Sequence, residues 1–115
     1  MNYGIIGCGK MATALVKGAI QAHVIEAQNV FGYDPNADAA QHFTNATDAS
    51  TVGAMADLGS CDVLLLCTKP QQAADALSSL TEFDGLIISI AAGLTIQWLE
   101  AHTPDTCRVV RCMPN

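Results

Sequence analysis

Basic residues are scarce in this chain of 115 residues. Five Lys and Arg stand against eleven Asp and Glu, a formal net charge of -6. A nucleic-acid surface needs clustered cations to meet phosphates, so the balance argues against such a partner. No apolar run approaches the roughly 20 residues of a membrane helix, and the N-terminus has no charged stretch leading into an apolar core and cleavage site. No membrane association is expected, and the expected compartment is the cytoplasm. The five cysteines, Cys8, Cys61, Cys67, Cys107 and Cys112, contain no C-x-x-C pair. An odd count without that spacing fits reduced thiols better than a disulfide framework or a zinc site. His23, His42 and His102 are scattered and form no ligand pair, so no metal is expected. Repeats, low-complexity segments and linkers are also lacking, and the length suits a single domain.

What is present begins in the first dozen residues. Asn2-Tyr3-Gly4-Ile5-Ile6 carries a buried-strand signal, broken by Gly7-Cys8-Gly9-Lys10-Met11-Ala12. From Lys10 the pattern turns helical, with Met11, Leu15, Gly18 and Ala19 at spacings of three and four. Strand, glycine turn and helix together form a dinucleotide-binding fingerprint of the G-x-G-x-x-A type. Gly7 permits the turn, Gly9 lets backbone approach a pyrophosphate, and Ala12 keeps helix close to strand. The free N–H groups and positive end of the helix dipole would face the phosphates.

Further along, the first helix ends near residues 21–23, and residues 30–33 read as a second strand stopped by Asp34-Pro35-Asn36. Residues 37–43 suit a short helix, residues 44–50 a brief strand and cap, and residues 51–58 another helix closed by Gly59. Residues 62–67 form the clearest strand, of the doubly covered parallel kind, ended by Thr68-Lys69-Pro70. Pro70 suits the first turn of a helix reaching Leu80. A strand over 86–90, the turn Ala91-Ala92-Gly93, a helix over 95–101 with Trp98 and Leu99 inward, and a strand over 108–112 complete the chain. Strands alternating with helices at this spacing imply a Rossmann-type α/β fold, a doubly wound, mainly parallel sheet with helices on both faces. Ligands in such sheets sit beyond the C-terminal strand ends. Lys10, Lys69 and Arg111 stand near those ends in an acidic chain, where an anion could draw them, whereas Lys17 reads as a surface charge. Asp34 follows the second strand, where a carboxylate commonly accepts from the adenosine ribose, and no Lys or Arg lies between Lys17 and Lys69 to meet a 2′-phosphate. That favours NADH over NADPH.

Four stretches carry a family resemblance. Ile6-Gly7-Cys8-Gly9-Lys10-Met11-Ala12, Lys69-Pro70, Ser89-Ile90-Ala91-Ala92-Gly93-Leu94-Thr95 and Val110-Arg111-Cys112-Met113-Pro114-Asn115 together resemble the N-terminal domain of pyrroline-5-carboxylate reductases. The resemblance implies reduction of a small cyclic imine, 1-pyrroline-5-carboxylate, to L-proline by hydride from NAD(P)H. It also brings NADPH forward as the family-based alternative cofactor. By that resemblance Gly7, Cys8, Gly9, Lys10, Met11 and Ala12 bind pyrophosphate. Cys67, Thr68, Lys69 and Pro70 line the cofactor beside Ala91, Ala92 and Gly93, and Met113, Pro114 and Asn115 border the nicotinamide. Arg111 reads equally as a ligand or as a strand-end ion-pair partner. Family members continue into a helical domain that forms the dimer and completes the substrate pocket. Residues 1–115 are expected to be the cofactor-binding domain without that part, which leaves the proton donor unassigned, while the full-length protein is expected to be a homo-oligomer. The alternatives are a non-catalytic dinucleotide-sensing module and another small NAD(P)-dependent reductase.

Overall fold

Neighbouring residues Ile5 and Ile6 serve opposite faces of one sheet, because side chains alternate along a strand. In the computed structural model, which describes residues 1–113, Ile5 belongs to one buried cluster with Ala12, Val16 and Phe43. Ile6 belongs to a second, with Leu64, Leu66, Leu77, Phe83 and Leu99. The sheet between them has six parallel strands: β1 (Tyr3–Ile6), β2 (Val30–Tyr33), β3 (Ser50–Thr51), β4 (Val63–Leu66), β5 (Leu86–Ser89) and β6 (Arg108–Arg111). Their order is β3-β2-β1-β4-β5-β6. The helices are α1 (Lys10–Gln21), α2 (Ala37–Thr47), α3 (Ala73–Leu77) and α4 (Ile96–Ala101). The doubly wound α/β reading is thus found; the brief strand expected within 44–50 lies instead at Ser50–Thr51, and residues 44–47 are helical.

The order reverses between β1 and β4, and right-handed crossovers then dictate where the helices go. Before the switch α1 and α2 cover one face; after it α3 and α4 cover the other. Helices therefore lie on both faces, but not over every strand. On the α1 side, half-buried Val63, Leu65, Ile88 and Ile90 line an open apolar groove of about 640 Å³ with Leu15, Ala19 and Met113. Among the described residues, no helix is long and apolar enough to cross a membrane.

Several local expectations are corrected. The buried face of α1 is Ala12, Thr13 and Val16, whereas Met11 is 51% exposed. The Met11, Leu15, Gly18 and Ala19 stripe lies about one residue away from that face, because the small residues Ala12 and Thr13 pack closest to the sheet. Helix α2 continues past residue 43 to Thr47, since buried Phe43 and Thr47 share one face and the Thr47 hydroxyl donates to the Phe43 carbonyl at 2.7 Å. The helix expected over 51–58 is instead β3 at Thr51, followed by a 3₁₀ turn, Met55–Ser60, which contains Gly59. Its buried Met55 and Leu58 are three apart, the 3₁₀ period, and no side chain caps its start. The helix expected from Pro70 to Leu80 divides into a 3₁₀ turn, Pro70–Gln72, and the short α3. Leu99 is buried as expected; Trp98 is half-buried and stacks on His102, with ring centroids 3.8 Å apart.

Candidate functional site

Strand register builds the site. Ile6 pairs with Tyr33 on one side and Leu66 on the other, so Gly7, Asp34 and Cys67 leave the sheet level with one another at the topological switch point. Together with Gly9, Pro35, Asn36, Thr68 and Lys69 they line a cavity of about 560 Å³. Its far wall comes from Gln72, Asp75, Ala76 and Ser79, whose spacing of three and four places them on one face of the turn and helix after Lys69.

Glycine is required at position 7. Its φ of +92° lies in the left-handed region, and a Cβ there would stand 3.1 Å from the Cys67 carbonyl and the Thr68 nitrogen. The loop therefore crosses close over the exit of β4. Position 9 differs, since a Cβ on Gly9 would meet nothing within 4 Å. Gly9 is the N-cap of α1, and no side chain caps that end. An uncapped helix start facing open space suits an anion. The Thr68 hydroxyl, buried without a partner among the described residues, adds a polar group in the same wall. These features fit a dinucleotide diphosphate.

The remaining candidate residues are spread more widely. Cys8 is buried and its Sγ packs beneath the loop, 2.8 Å from where a Gly32 Cβ would be. Lys10 and Met11 are exposed on the first turn of α1, and Ala12 is buried against the sheet. Pro70 opens the 3₁₀ turn after Lys69. Ala91 is buried beyond β5, its N–H donating to the Ser89 hydroxyl at 3.2 Å, while Ala92 and Gly93 are exposed. None of these lines the cavity. Met113 lies on the apolar groove instead, Arg111 is exposed at the end of β6, and Pro114 and Asn115 lie outside the described residues. Tyr33 and Asn36 line the cavity with Asp34, in the turn at the end of the second strand; sequence reasoning missed Ala39, Met55 and the wall at Gln72, Asp75, Ala76 and Ser79.

Both thiols at the loop are strongly shifted. Burial, then the Asp34 charge, pushes Cys8 up to about 12; burial, then the neighbouring Cys8, pushes Cys67 up to about 12. Each therefore stays protonated at neutral pH and makes a poor nucleophile. The stability consequence has a definite sign. Below the unfolded-state value of 9.0 both states hold the proton. Between there and about 12 only the unfolded chain ionises, so stability falls as pH rises through this window. Urea midpoints at pH 8 and 10.5 are expected to drop more in the wild type than in Cys8→Ala; equal drops would refute the assignment to Cys8.

A parallel sheet in the order 3-2-1-4-5-6, with a glycine turn and a cavity at the switch point, defines a Rossmann-type α/β domain. The chain belongs to the family described as NADP oxidoreductase, coenzyme F420-dependent, which matches residues 2–93. It is 31% identical to pyrroline-5-carboxylate reductase 3 of Mus musculus, over 97% of this chain and 42% of that protein. With pyrroline-5-carboxylate reductase of Haemophilus influenzae it shares 34% identity, over 96% of this chain and 41% of the relative. The crystal structure of Plasmodium falciparum pyrroline carboxylate reductase with NADP bound superposes with a TM-score of 0.86 at 30% identity, covering 100% of this chain and 42% of that one. The chain thus spans less than half the length of these relatives.

Proposed function

We propose that this chain is the cofactor-binding part of a reductase that converts 1-pyrroline-5-carboxylate to L-proline with NAD(P)H. The observation that carries the reading is the cavity at the switch point, where Gly7, Gly9 and the uncapped start of α1 meet Asp34, Thr68 and Lys69. Identity to named pyrroline-5-carboxylate reductases along nearly the whole chain supports the substrate class. The nicotinamide, when bound, supplies the hydride. The chain's own residues bind and orient: the N–H groups at the start of α1 hold the diphosphate, and Thr68 and Lys69 flank it. Proton delivery and closure over the imine fall to the additional length that the relatives possess, in keeping with a homo-oligomer in the full-length protein.

NADH is the cofactor we favour. Asp34 lines the cavity, and Lys69 is the one cation among the described lining residues. A 2′-phosphate about 4 Å from the carboxylate would be repelled by roughly 1 to 4 kcal/mol between water-like and surface-like dielectrics. That corresponds to about a fivefold or larger preference. Calorimetry on the 115-residue chain is expected to give tighter binding of NADH than of NADPH, and an absorbance assay with the cyclic imine negligible turnover. Absence of binding to either nucleotide would reject the reading, and tighter binding of NADPH would reject the cofactor assignment. Substantial turnover by this chain alone would reject the division of labour.

A further inference from the structure

The β2 exit is tied to the glycine loop by two consecutive bonds. The Gly7 N–H donates to the Tyr33 carbonyl at 2.9 Å, and the Cys8 N–H donates to Asp34 Oδ2 at 2.8 Å. The other oxygen, Asp34 Oδ1, accepts from the Asn36 N–H at 2.9 Å. Asn36 in turn caps α2, its Oδ1 accepting from the N–H groups of Asp38 at 2.9 Å and Ala39 at 3.2 Å. One half-buried carboxylate thus joins the loop before α1 to the turn before α2, the two walls that meet at the cavity. Gly32 makes room beneath this joint, because a Cβ there would overlap Cys8 Sγ and the Phe43 ring.

We propose that Asp34 is a positioning residue that latches the glycine loop to the β2–α2 turn and so fixes the N–H groups of the start of α1 toward the dinucleotide phosphates. This rests on the cofactor-binding reading above, and it gives Asp34 a task besides facing the adenosine ribose. A carboxylate is an acceptor on both oxygens, so it can hold two backbone donors that diverge. Engaging both oxygens also sets the plane of the group, which a residue that only met a sugar hydroxyl would not need. The latch acts on the diphosphate, which NADH and NADPH share, whereas ribose reading acts on the part in which they differ.

Asp34→Glu separates the two roles. It keeps the charge and the capacity to accept from a ribose, but its extra methylene prevents one carboxylate from meeting the Cys8 and Asn36 N–H groups together. A hydrogen bond to a charged acceptor is worth enough for about a tenfold or larger change in affinity. Asp34→Glu is expected to bind NADH and NADPH each about tenfold more weakly, with their ratio kept. Amide exchange at Cys8, followed by NMR without nucleotide, is expected to speed up by at least about tenfold in Asp34→Glu and Asp34→Ala. Circular dichroism reports whether each variant folds, and a loss of global stability alone would not single out the Cys8 amide. Wild-type affinity for both nucleotides in folded Asp34→Glu, or unaltered Cys8 exchange in both variants, would overturn the proposal. Should the wild type bind neither nucleotide, the cofactor reading falls, while Cys8 exchange still decides for or against the latch.

Discussion

Replacing Gly9 by Val is expected to weaken dinucleotide binding by at least about a hundredfold, some 2.7 kcal/mol, while leaving the fold in place. The asymmetry comes from where the new side chain goes. A Cβ at position 9 meets nothing within 4 Å among the described residues, so none of their atoms has to move to admit it. The backbone there is ordinary, with φ of -76° at the N-cap of α1, so a branched residue suffers no left-handed strain. Stability should fall by only about 1 kcal/mol, because Val is a poorer N-cap residue than Gly. The open space is the same space that a diphosphate would fill against the helix start, and there a branched side chain blocks close approach. Calorimetry with NADH, alongside a urea melt, reads both halves. Full affinity in a folded variant would mean that the phosphates sit elsewhere.

Gly7 makes the useful contrast, because its neighbours are protein atoms rather than empty space. Two glycines of one fingerprint thus differ, one packed where the loop crosses β4 and the other facing open space at the helix start. The motif announces the turn at Gly7, because its spacing relative to the strand and helix is fixed by the turn itself. The strands were legible for a similar reason. Runs such as Val63-Leu64-Leu65-Leu66 put apolar side chains on both faces of a parallel sheet and leave little ambiguity. Where polar residues do the covering, the signal weakens. Residues 44–47 read as the start of a brief strand and cap, yet they remain helical because Phe43 and Thr47 meet the core on one face. Met55 reaches the cavity from the crossover between β3 and β4, and no local pattern announces that convergence. The helical spacing of Gln72, Asp75, Ala76 and Ser79 could have revealed the far wall, had the face after Lys69 been followed turn by turn. Asp34 was legible as a site residue from its place after β2. Its double bond to the loop and the turn was not, since it depends on the level register of β1 and β2.

Gly85→Ala is expected to cost the fold about 2 to 3 kcal/mol, toward the upper part of what overpacking a well-filled site exacts. A Cβ there would overlap the backbone oxygen of Asp62 and the ring of Phe83, which is 1% exposed and cannot swing out to solvent. Asp62 cannot yield easily either. Its carbonyl accepts the Leu86 N–H at 3.1 Å, the bond that starts β5 beside β4. On the opposite side the Gly85 carbonyl accepts the Arg108 N–H at 3.0 Å, which starts β6 beside β5. One added methyl therefore strains the opening of two strand pairings at once, and relief requires backbone movement rather than a rotamer change. Gly53→Ala is the control, because a Cβ at position 53 meets nothing within 4 Å and should change stability by no more than about 0.5 kcal/mol. Urea denaturation of the two variants beside the wild type measures the difference. NADH affinity of the folded fraction should be nearly unchanged in Gly85→Ala, because Gly85 lies at the N-terminal ends of the strands, opposite the cavity. Equal midpoints for the two variants would show that β4 and β5 have slack at Gly85, and would remove the close packing assigned to that corner of the sheet.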